Sequence, residues 1–359
     1  MSPRGPIRVL VIDDSAFSRQ AITRMLERSS LAEVVGTARD GEEALRKAFE
    51  LDPDLITLDL EMPGMDGFTF LRLVMSRRPT PVIVISGRGA EGDVWKALEL
   101  GAVDFIAKPM RRATPLLASI ERELIRKVHG VRELRIERVR DRIAALAAPL
   151  AAEVPASGEA PRVVALGAST GGPAALMEIL GAFSEPPACA LLVAQHMPEG
   201  FTASFAARLD RRTALAAREA SGGEEPEPGT VLVAPGGRHL ELEVVRGRAL
   251  ARVVVADASD RYAPSVDRLF ESCAKAYGAD LLAVVLTGMG DDGRRGVLAV
   301  KQSGGRVIAE SEQTAVIPGM PQQAIRTGAV DQVLPLFEIA AAIRRGVRPG
   351  LPAAGGKGA

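Results

Sequence analysis

The chain has little cysteine. Only Cys189 and Cys273 occur among its 359 residues, so a disulfide framework is excluded. Both lie in or beside apolar stretches, where a small buried thiol is the usual role of the residue. A reducing compartment, the cytoplasm, is the location that this usage favours.

The chain also has no excess of positive or negative charge, and it has no long apolar run. Forty-five basic residues balance forty-five acidic ones, so no global field favours nucleic acid or an anionic membrane. No uninterrupted apolar run approaches the roughly 18 residues of a membrane span, and the first residues lack the apolar core of a signal peptide. We therefore expect a soluble, unexported protein with no nucleic-acid partner and no direct membrane insertion.

What the sequence does contain is an alternation of short apolar runs with helical patterns, and it occurs twice. The first series covers residues 7–108 and the second begins after Pro161. Strand and helix alternating at this spacing predict a parallel sheet with helices on both faces. The fold class expected is α/β with two doubly wound domains, the second carrying a hairpin at Arg246-Gly247.

A stretch rich in small, proline and acidic residues, 153–161, separates the two series, and a charged helical pattern precedes it. The last residues lack the apolar content to pack. The predicted organisation is a first domain over 1–125, a helical or flexible linker over 126–160, a second domain over 161–348 and a disordered tail over 349–359.

Polar residues stand at the ends of the predicted strands of the first series. Asp13 and Asp14 end the first strand, Asp59 the third, Ser86 the fourth and Lys108 the fifth. Taken singly, each is most simply a strand-end cap or a solvated acid. Together they converge at one sheet edge, where three carboxylates need a divalent cation such as Mg²⁺. An aspartate can there be a nucleophile toward phosphorus, with a lysine and a hydroxyl stabilising the product.

The motifs VIDDS, LDLEMPGMDG, ISG and AKP, in this order, resemble the response-regulator receiver family throughout residues 7–112. The resemblance implies a flavodoxin-like parallel sheet with Asp59 as the phospho-acceptor. It further implies that Asp14, Asp59 and the carbonyl of Glu61 bind the metal, with Asp13 in support.

The same resemblance implies that Ser86 and Lys108 sense the phosphate. Phe105 falls where the family often has an aromatic residue that changes rotamer on activation. A buried phenylalanine in an edge strand would look identical in sequence, so both interpretations of Phe105 stay open.

In the second series, VVALGASTGG places Ser169 where an apolar strand turns through glycines into a helix. Free N–H groups at a helix start can stabilise an oxyanion, and G-A-S-T-G satisfies the nucleophile-elbow pattern G-x-S-x-G. A glycine-rich turn could equally cradle a dinucleotide. The next strand, however, ends in Gln195-His196 instead of the acid that a ribose would need, which favours a catalytic base.

Only three histidines exist. His129 lies in the charged helix of the linker, and His239 precedes an alternating strand, where a structural or substrate-facing role is expected. His196 ends the strand next to that of Ser169 and is the candidate base. A carboxylate should orient it, and LLAVVLTGMGDDG offers Asp291 and Asp292, between which composition does not choose.

The stretches GASTGGP, QHMPEGFT, APGGRHLEL, PSVD and LTGMGDDG, in this order, resemble the chemotaxis methylesterase family, often called CheB. The resemblance implies a Rossmann-like domain with a mostly parallel sheet and a triad of Ser169, His196 and Asp292. It also implies oxyanion donors among the backbone amides around His196 and Met289, with Thr170 lining the pocket.

The activity implied is hydrolysis of glutamate γ-methyl esters on methyl-accepting chemotaxis receptors, with deamidation of particular glutamines. The implied partners are those receptors and a histidine kinase that donates the phosphoryl group. The esterase chemistry needs no cofactor, and Mg²⁺ belongs to the receiver alone. An unphosphorylated receiver is expected to inhibit the esterase. The alternatives are a nucleotide- or DNA-binding output domain and a non-catalytic scaffold.

Overall fold

The computed structural model describes residues 5–87, 91–108, 120–131, 161–257 and 259–345. The chain separates into two compact units that meet in sequence at residues 148 and 149. Each unit has its own parallel sheet and its own hydrophobic core. No helix within the described ranges is long and apolar enough to cross a membrane.

The first unit alternates strand and helix. Its strands are β1 (Ile7–Ile12), β2 (Ala32–Ala38), β3 (Leu55–Leu58), β4 (Val82–Gly87) and β5 (Asp104–Lys108). Its helices are α1 (Ala16–Glu27), α2 (Gly41–Leu51), α3 (Gly67–Arg77), α4 (Glu91–Glu99) and α5 (Glu121–Gly130). All strand pairs are parallel and the order is β2-β1-β3-β4-β5. This order confirms the predicted flavodoxin-like sheet.

Helix α5 packs on the first unit across the domain boundary that we placed at residue 125. Leu124 and Val128 are buried in the same core cluster as Leu26 of α1. Lys127 of α5 donates to the Asp104 carboxylate at 2.7 Å and to the Phe105 carbonyl at 2.6 Å. The rest of the predicted linker and the predicted tail lie outside the described residues.

The second unit has seven strands in one sheet and two more in a hairpin. The strands are β6 (Val163–Ala168), β7 (Ala190–Gln195), β8 (Ala216–Glu219), β9 (Thr230–Val233), β10 (Arg238–Val245), β11 (Arg248–Val255), β12 (Leu281–Val285), β13 (Arg306–Glu310) and β14 (Gln332–Leu334). The helices are α6 (Gly172–Gly181), α7 (Phe201–Arg212), α8 (Val266–Tyr277), α9 (Arg294–Gln302), α10 (Gly319–Ile325) and α11 (Leu336–Arg345).

The order of the large sheet, β14-β13-β12-β6-β7-β9-β8, determines where a ligand can bind. Every pair in it is parallel, which confirms the predicted Rossmann-like sheet. The chain moves outward on one side of β6 and then crosses to β12 on its other side. In open parallel sheets, ligands bind at the carboxyl ends of the strands at such a switch point.

The predicted hairpin is present: β10 and β11 pair antiparallel, and Arg246 and Gly247 form the turn with φ of 51° and 80°. Two left-handed residues in succession match the twist of the flanking strands. We did not predict β8 or α11. The first is a four-residue edge strand, too short to show a period, and the second begins directly after Pro335 at the end of β14.

Candidate active site

Three adjacent strands of the second sheet bring the predicted catalytic residues to one edge. Ala168 pairs with Gln195 in the β6–β7 register, so Ser169 and His196 are the next residues on each strand. The amide of His196 donates to the carbonyl of Ala168 at 3.0 Å, which extends this pairing past the strand end. Asp292 follows β12, the neighbour of β6 on its other side.

The turn that carries Ser169 depends on small residues. Gly171, with φ of 76°, precedes the first residue of α6. A side chain at Gly288, in the loop after β12, would have its Cβ 2.7 Å from that of Ser169. Close approach of this loop to the serine therefore requires glycine at position 288. Ser169 remains only partly buried, whereas Ala168 before it and Thr170 after it are buried.

Gln195 joins the serine turn to the histidine turn, a feature that we did not predict. Its buried amide nitrogen donates to the carbonyl of Ser169 at 2.9 Å and to that of His196 at 3.1 Å. Its Oε1 is buried without a hydrogen-bond partner among the described residues. A Cβ at Gly172 would lie 2.0 Å from this oxygen, so the glycine after the turn makes room for the glutamine.

Asp292, and not Asp291, contacts the candidate base. Its Oδ2 lies 2.8 Å from Nε2 of His196. The remaining acceptor positions of the carboxylate are occupied by the hydroxyl of Ser265 and by backbone amides of Val266, Asp267 and Gly293, at 2.7 to 3.1 Å. Two of these amides begin helix α8, whose dipole favours a negative charge there.

The pKa of Asp292 is lowered. Burial alone would raise it, but the hydrogen bonds from His196 and from the amides at the start of α8 outweigh the burial. An ionised carboxylate only accepts, so Nε2 of His196 carries the hydrogen. The lone pair of the neutral imidazole is then on Nδ1, which is the nitrogen able to take a proton.

Asp291 points to a different set of partners. Its Oδ1 accepts hydrogen bonds from Arg261 at 3.0 Å and from the hydroxyl of Tyr262 at 3.2 Å. The two adjacent aspartates thus separate, one toward His196 and the other toward the loop that precedes α8. Reasoning from residue types had left this choice open because both aspartates suit a helix start.

The expected oxyanion donors are not all available. The amide of His196 donates to Ala168, as described above, so among the amides expected around His196 this one is already paired. Within the described ranges, the amide of Met289 has no hydrogen-bond acceptor. Thr170 is buried, and its carbonyl accepts from the hydroxyl of Thr287 at 3.0 Å, which ties the serine turn to the β12 loop.

His239 is fully buried and has partners on both ring nitrogens. Nδ1 accepts from the amide of Ser265 at 3.2 Å, so Nε2 carries the hydrogen and donates to Asp260 at 2.9 Å. Of the two roles that we considered, structural and substrate-facing, these contacts correspond to the structural one.

In the first unit, the polar strand ends converge as expected. Ligand oxygens of Asp13, Asp14 and Asp59 all lie within 4.8 Å of one another. Nζ of Lys108 is 2.8 Å from Asp13 and 2.5 Å from Asp59. The pKa of Asp13 is raised, chiefly because the carboxyl group is buried. The nearby Lys108 lowers this pKa, but the Asp59 carboxylate raises it further, so the net shift is upward.

Ser86 lies on β4 and Phe105 on β5, the two strands that follow β3 in the order of the sheet. The hydroxyl of Ser86 is buried and has no hydrogen-bond partner in the part of the chain that the structure describes. Phe105 is buried edge-on against Trp95, with ring centroids 6.2 Å apart. The amide of Glu61 donates a hydrogen bond to Oδ1 of Asp59 at 3.3 Å. The backbone of Glu61, whose carbonyl is the predicted metal ligand, therefore lies next to the cluster.

Two family models match the chain, and they divide it as the two units do. A response regulator receiver domain matches residues 9–121, and CheB methylesterase matches residues 164–343. The chain belongs to the CheB methylesterase family. Its second unit is the CheB methylesterase domain and its first is a receiver, as the motifs predicted.

Curated relatives of this CheB chain extend over almost all of it. A protein-glutamate methylesterase/protein-glutamine glutaminase of Geobacter sulfurreducens is 50% identical, covering 92% of this chain and 94% of the relative. One of Myxococcus xanthus is 48% identical, covering 96% and 98%. The solved CheB methylesterase catalytic domain of Thermotoga maritima is 40% identical, covering 52% of this chain and 98% of that domain, with a TM-score of 0.49.

Ser265 and Asp267 of the CheB domain also contribute to the site, although we had noted them only as part of the PSVD stretch. Asp292 accepts amides at the start of α8, while Asp267 of α8 accepts the amides of Gly293 and Gly296 at the start of α9, at 2.9 and 2.7 Å. The start of α8 is thus capped by Asp292, which lies just before α9, and the start of α9 is capped by Asp267, which lies in the first turn of α8. This reciprocal capping fixes the position of Asp292.

Proposed function

We propose that the chain is a phosphorylation-activated serine hydrolase that demethylates glutamate γ-methyl esters on methyl-accepting chemotaxis receptors and deamidates particular glutamines there. The relatives from Geobacter sulfurreducens and Myxococcus xanthus are named for both activities. The observation that carries the proposal is the 2.8 Å contact of His196 with Asp292 at the strand end beside Ser169. In the chemosensory pathway this reaction would provide adaptation.

In the acylation step, Oγ of Ser169 attacks the ester carbonyl while Nδ1 of His196 takes the hydroxyl proton. The ionised Asp292 stabilises the resulting imidazolium through Nε2. Collapse of the tetrahedral intermediate breaks the C–O bond, and methanol leaves with the proton from Nδ1. The glutamyl side chain is then an ester of Ser169.

In the deacylation step, His196 takes a proton from water, the hydroxide attacks the acyl group and Ser169 recovers its proton. The products are glutamate and methanol, and one water is consumed. A glutamine substrate follows the same path with ammonia as the leaving group. The amide of Met289 is the oxyanion donor that we propose from the residues described, with Thr170 in the pocket wall.

We assign phosphoryl acceptance to Asp59. The three carboxylates that lie within 4.8 Å fit a divalent cation, with Asp14, Asp59 and the carbonyl of Glu61 as ligands and Asp13 in support. When bound, Mg²⁺ would neutralise charge on the incoming phosphoryl group. The unpartnered hydroxyl of Ser86 supports its role as a hydrogen-bond donor to the phosphate on Asp59, and the position of Nζ of Lys108 beside Asp59 supports the same role for the lysine.

Control by the receiver completes the proposal. A histidine kinase of the pathway supplies the phosphoryl group, and the unphosphorylated receiver inhibits the esterase. Residues 1–125 would act as the switch, 126–160 as the linker, 161–348 as the enzyme and 349–359 as a tail. Ser86, Lys108 and Phe105 respond to the phosphate, and this response relieves the inhibition.

The test uses purified full-length protein and a methylated receptor, with methanol release measured with and without acetyl phosphate. Turnover that requires Ser169 and rises with acetyl phosphate supports the proposal. Absence of methanol release from every methylated receptor of the organism would exclude the substrate, and release that persists in Ser169→Ala would exclude the mechanism.

A further inference from the structure

Tyr262 lies face to face with the imidazole of His196. The ring centroids are 4.7 Å apart and the planes differ by 10°. Tyr262 belongs to the loop between β11 and α8, 66 residues from the histidine in sequence, and is partly buried. The contact therefore depends entirely on the tertiary fold.

The tyrosine ring is itself held in place. Its hydroxyl donates to Asp291, and so does Arg261, whose guanidinium lies 5.1 Å from the ring centroid. Gly290, with φ of 97°, passes so close that a Cβ there would lie 2.3 Å from the tyrosine oxygen. An anchored hydroxyl, a cation at the ring and a close backbone leave the ring little freedom.

The same loop continues into Ser265, whose hydroxyl donates to Asp292. One short segment therefore contacts both members of the histidine–aspartate pair, the carboxylate through Ser265 and the imidazole through Tyr262. Asp292 holds the imidazole at Nε2, which leaves rotation about that hydrogen bond possible. A flat ring stacked on the imidazole removes this rotation and keeps Nδ1 in one plane.

We propose that Tyr262 is a positioning residue that fixes the plane of the His196 imidazole, with Asp291 as its anchor. This inference rests on the proposed role of His196 as the base. It assigns to Asp291 a task different from that of its neighbour Asp292, and it predicts that the aromatic face of Tyr262 matters more than its hydroxyl.

The test compares Tyr262→Leu, which removes the ring, with Tyr262→Phe, which keeps it. Methanol release from a methylated receptor gives kcat and KM for the full-length protein. We expect Leu to lower kcat about tenfold, near the upper limit for an aromatic pair, with KM changed less than about twofold. Phe should restore kcat to within about threefold of wild type, since an anchoring hydrogen bond to a partly exposed carboxylate contributes little.

A spectroscopic readout separates positioning from general structural support. The chain has only three histidines, so their ring protons can be resolved by NMR and that of His196 identified with His196→Gln. Stacking shields these protons, and the upfield displacement should persist in Tyr262→Phe and vanish in Tyr262→Leu. Tyr277→Leu, at the only other tyrosine, is the matched control and should leave both kcat and the His196 signals unchanged.

Should Tyr262→Leu fail to fold, Tyr262→Gln provides a polar replacement for this partly exposed position and carries the same expectations. Wild-type kcat in the ring-free variants, or an equal loss in Tyr262→Phe, would overturn the inference while the proposed function stands. Full activity of His196→Gln would instead overturn the proposed function, whatever Tyr262 does.

Discussion

The two units place acids at equivalent positions, the carboxyl ends of parallel strands, yet treat them in opposite ways. Asp292 in the esterase accepts four hydrogen bonds besides that of His196, and its pKa is lowered. Asp13 in the receiver faces a second carboxylate, and its pKa is raised. Near the end of β4 in the same unit, the hydroxyl of Ser86 has no hydrogen-bond partner within the described residues.

The difference fits the roles that we propose for the two pockets. A triad acid must stay ionised and fixed through every turnover, so neutral donors saturate it and no exchangeable group is needed. A phosphorylation site must gain a cation and an anion and later lose both, so its own groups remain incompletely matched. In the first pocket the acid Asp292 is held by five hydrogen bonds, whereas the second pocket contains a carboxylate of raised pKa and, within the described residues, a buried hydroxyl without a partner.

The largest effect is expected at the nucleophile. Ser169→Ala removes the hydroxyl that we propose as the nucleophile and should lower kcat at least about 10³-fold in methanol-release assays. Receiver phosphorylation by acetyl phosphate should remain at the wild-type level, because each unit has its own core. Substantial residual turnover would mean that another residue attacks the ester.

The two adjacent aspartates sharpen the comparison within the esterase. Asp292→Asn should lower kcat about 10²- to 10⁴-fold, because an amide in the network of donors favours the wrong tautomer of His196. Asp291→Asn should cost less than about threefold, since its oxygen can still accept from Tyr262 and Arg261. The measurement is kcat of both variants in parallel steady-state assays. An equal loss of kcat in Asp291→Asn and Asp292→Asn would mean that the triad assignment is incorrect.

The receiver is expected to change activity less than the triad does. Deleting residues 1–150 should raise basal turnover by about 5- to 150-fold, the range of a typical coupling between two sites. Asp59→Asn should abolish stimulation by acetyl phosphate and leave the basal rate unaltered. Asp54→Asn, at the opposite end of β3, is the matched control and should retain stimulation.

A deletion variant no faster than the unphosphorylated full-length protein would exclude inhibition by the receiver. Phosphorylation would then have to activate the enzyme or direct it to its substrate. The comparison of the two pockets would survive this result, because it concerns the chemistry inside each unit.

Much of this architecture was predictable because alternating strand and helix patterns place polar strand ends on one edge. This rule led us to Asp59, Lys108, Ser169 and His196, and the structure places all four at the carboxyl ends of strands or directly after them. Tertiary contacts between individual side chains are not indicated by a strand or helix pattern. Gln195 looks like an ordinary last residue of a strand, and nothing in the loop before α8 indicates that Tyr262 lies on His196.

The choice between Asp291 and Asp292 shows the same limit. Both acids precede one helix and have the same local propensity. Only the start of α8, which is distant in sequence, distinguishes them by supplying amides to one and not to the other. Resemblance to a family selected Asp292, and residue chemistry alone could not have done so.

A smaller effect on activity than those of Ser169→Ala and Asp292→Asn is expected at Gln195, where stability and catalysis should separate. Burial of its unpartnered Oε1 costs free energy, while its amide nitrogen donates to the carbonyls of Ser169 and His196. Gln195→Met removes both contributions in a side chain of similar length. Because they oppose each other, the free energy of unfolding should change by less than about 2 kcal/mol.

The turns that carry the serine and the histidine would nevertheless lose their common donor. We expect kcat to fall about tenfold in Gln195→Met, because the nucleophile and the base are no longer held at a constant separation. Gln302→Met, at an exposed position at the end of α9, is the matched control for thermal unfolding and turnover. A variant that unfolds at much lower temperature with its kcat intact would show that Gln195 serves folding alone, and the rigidity ascribed to this pocket would then have to come from Asp292 and its donors.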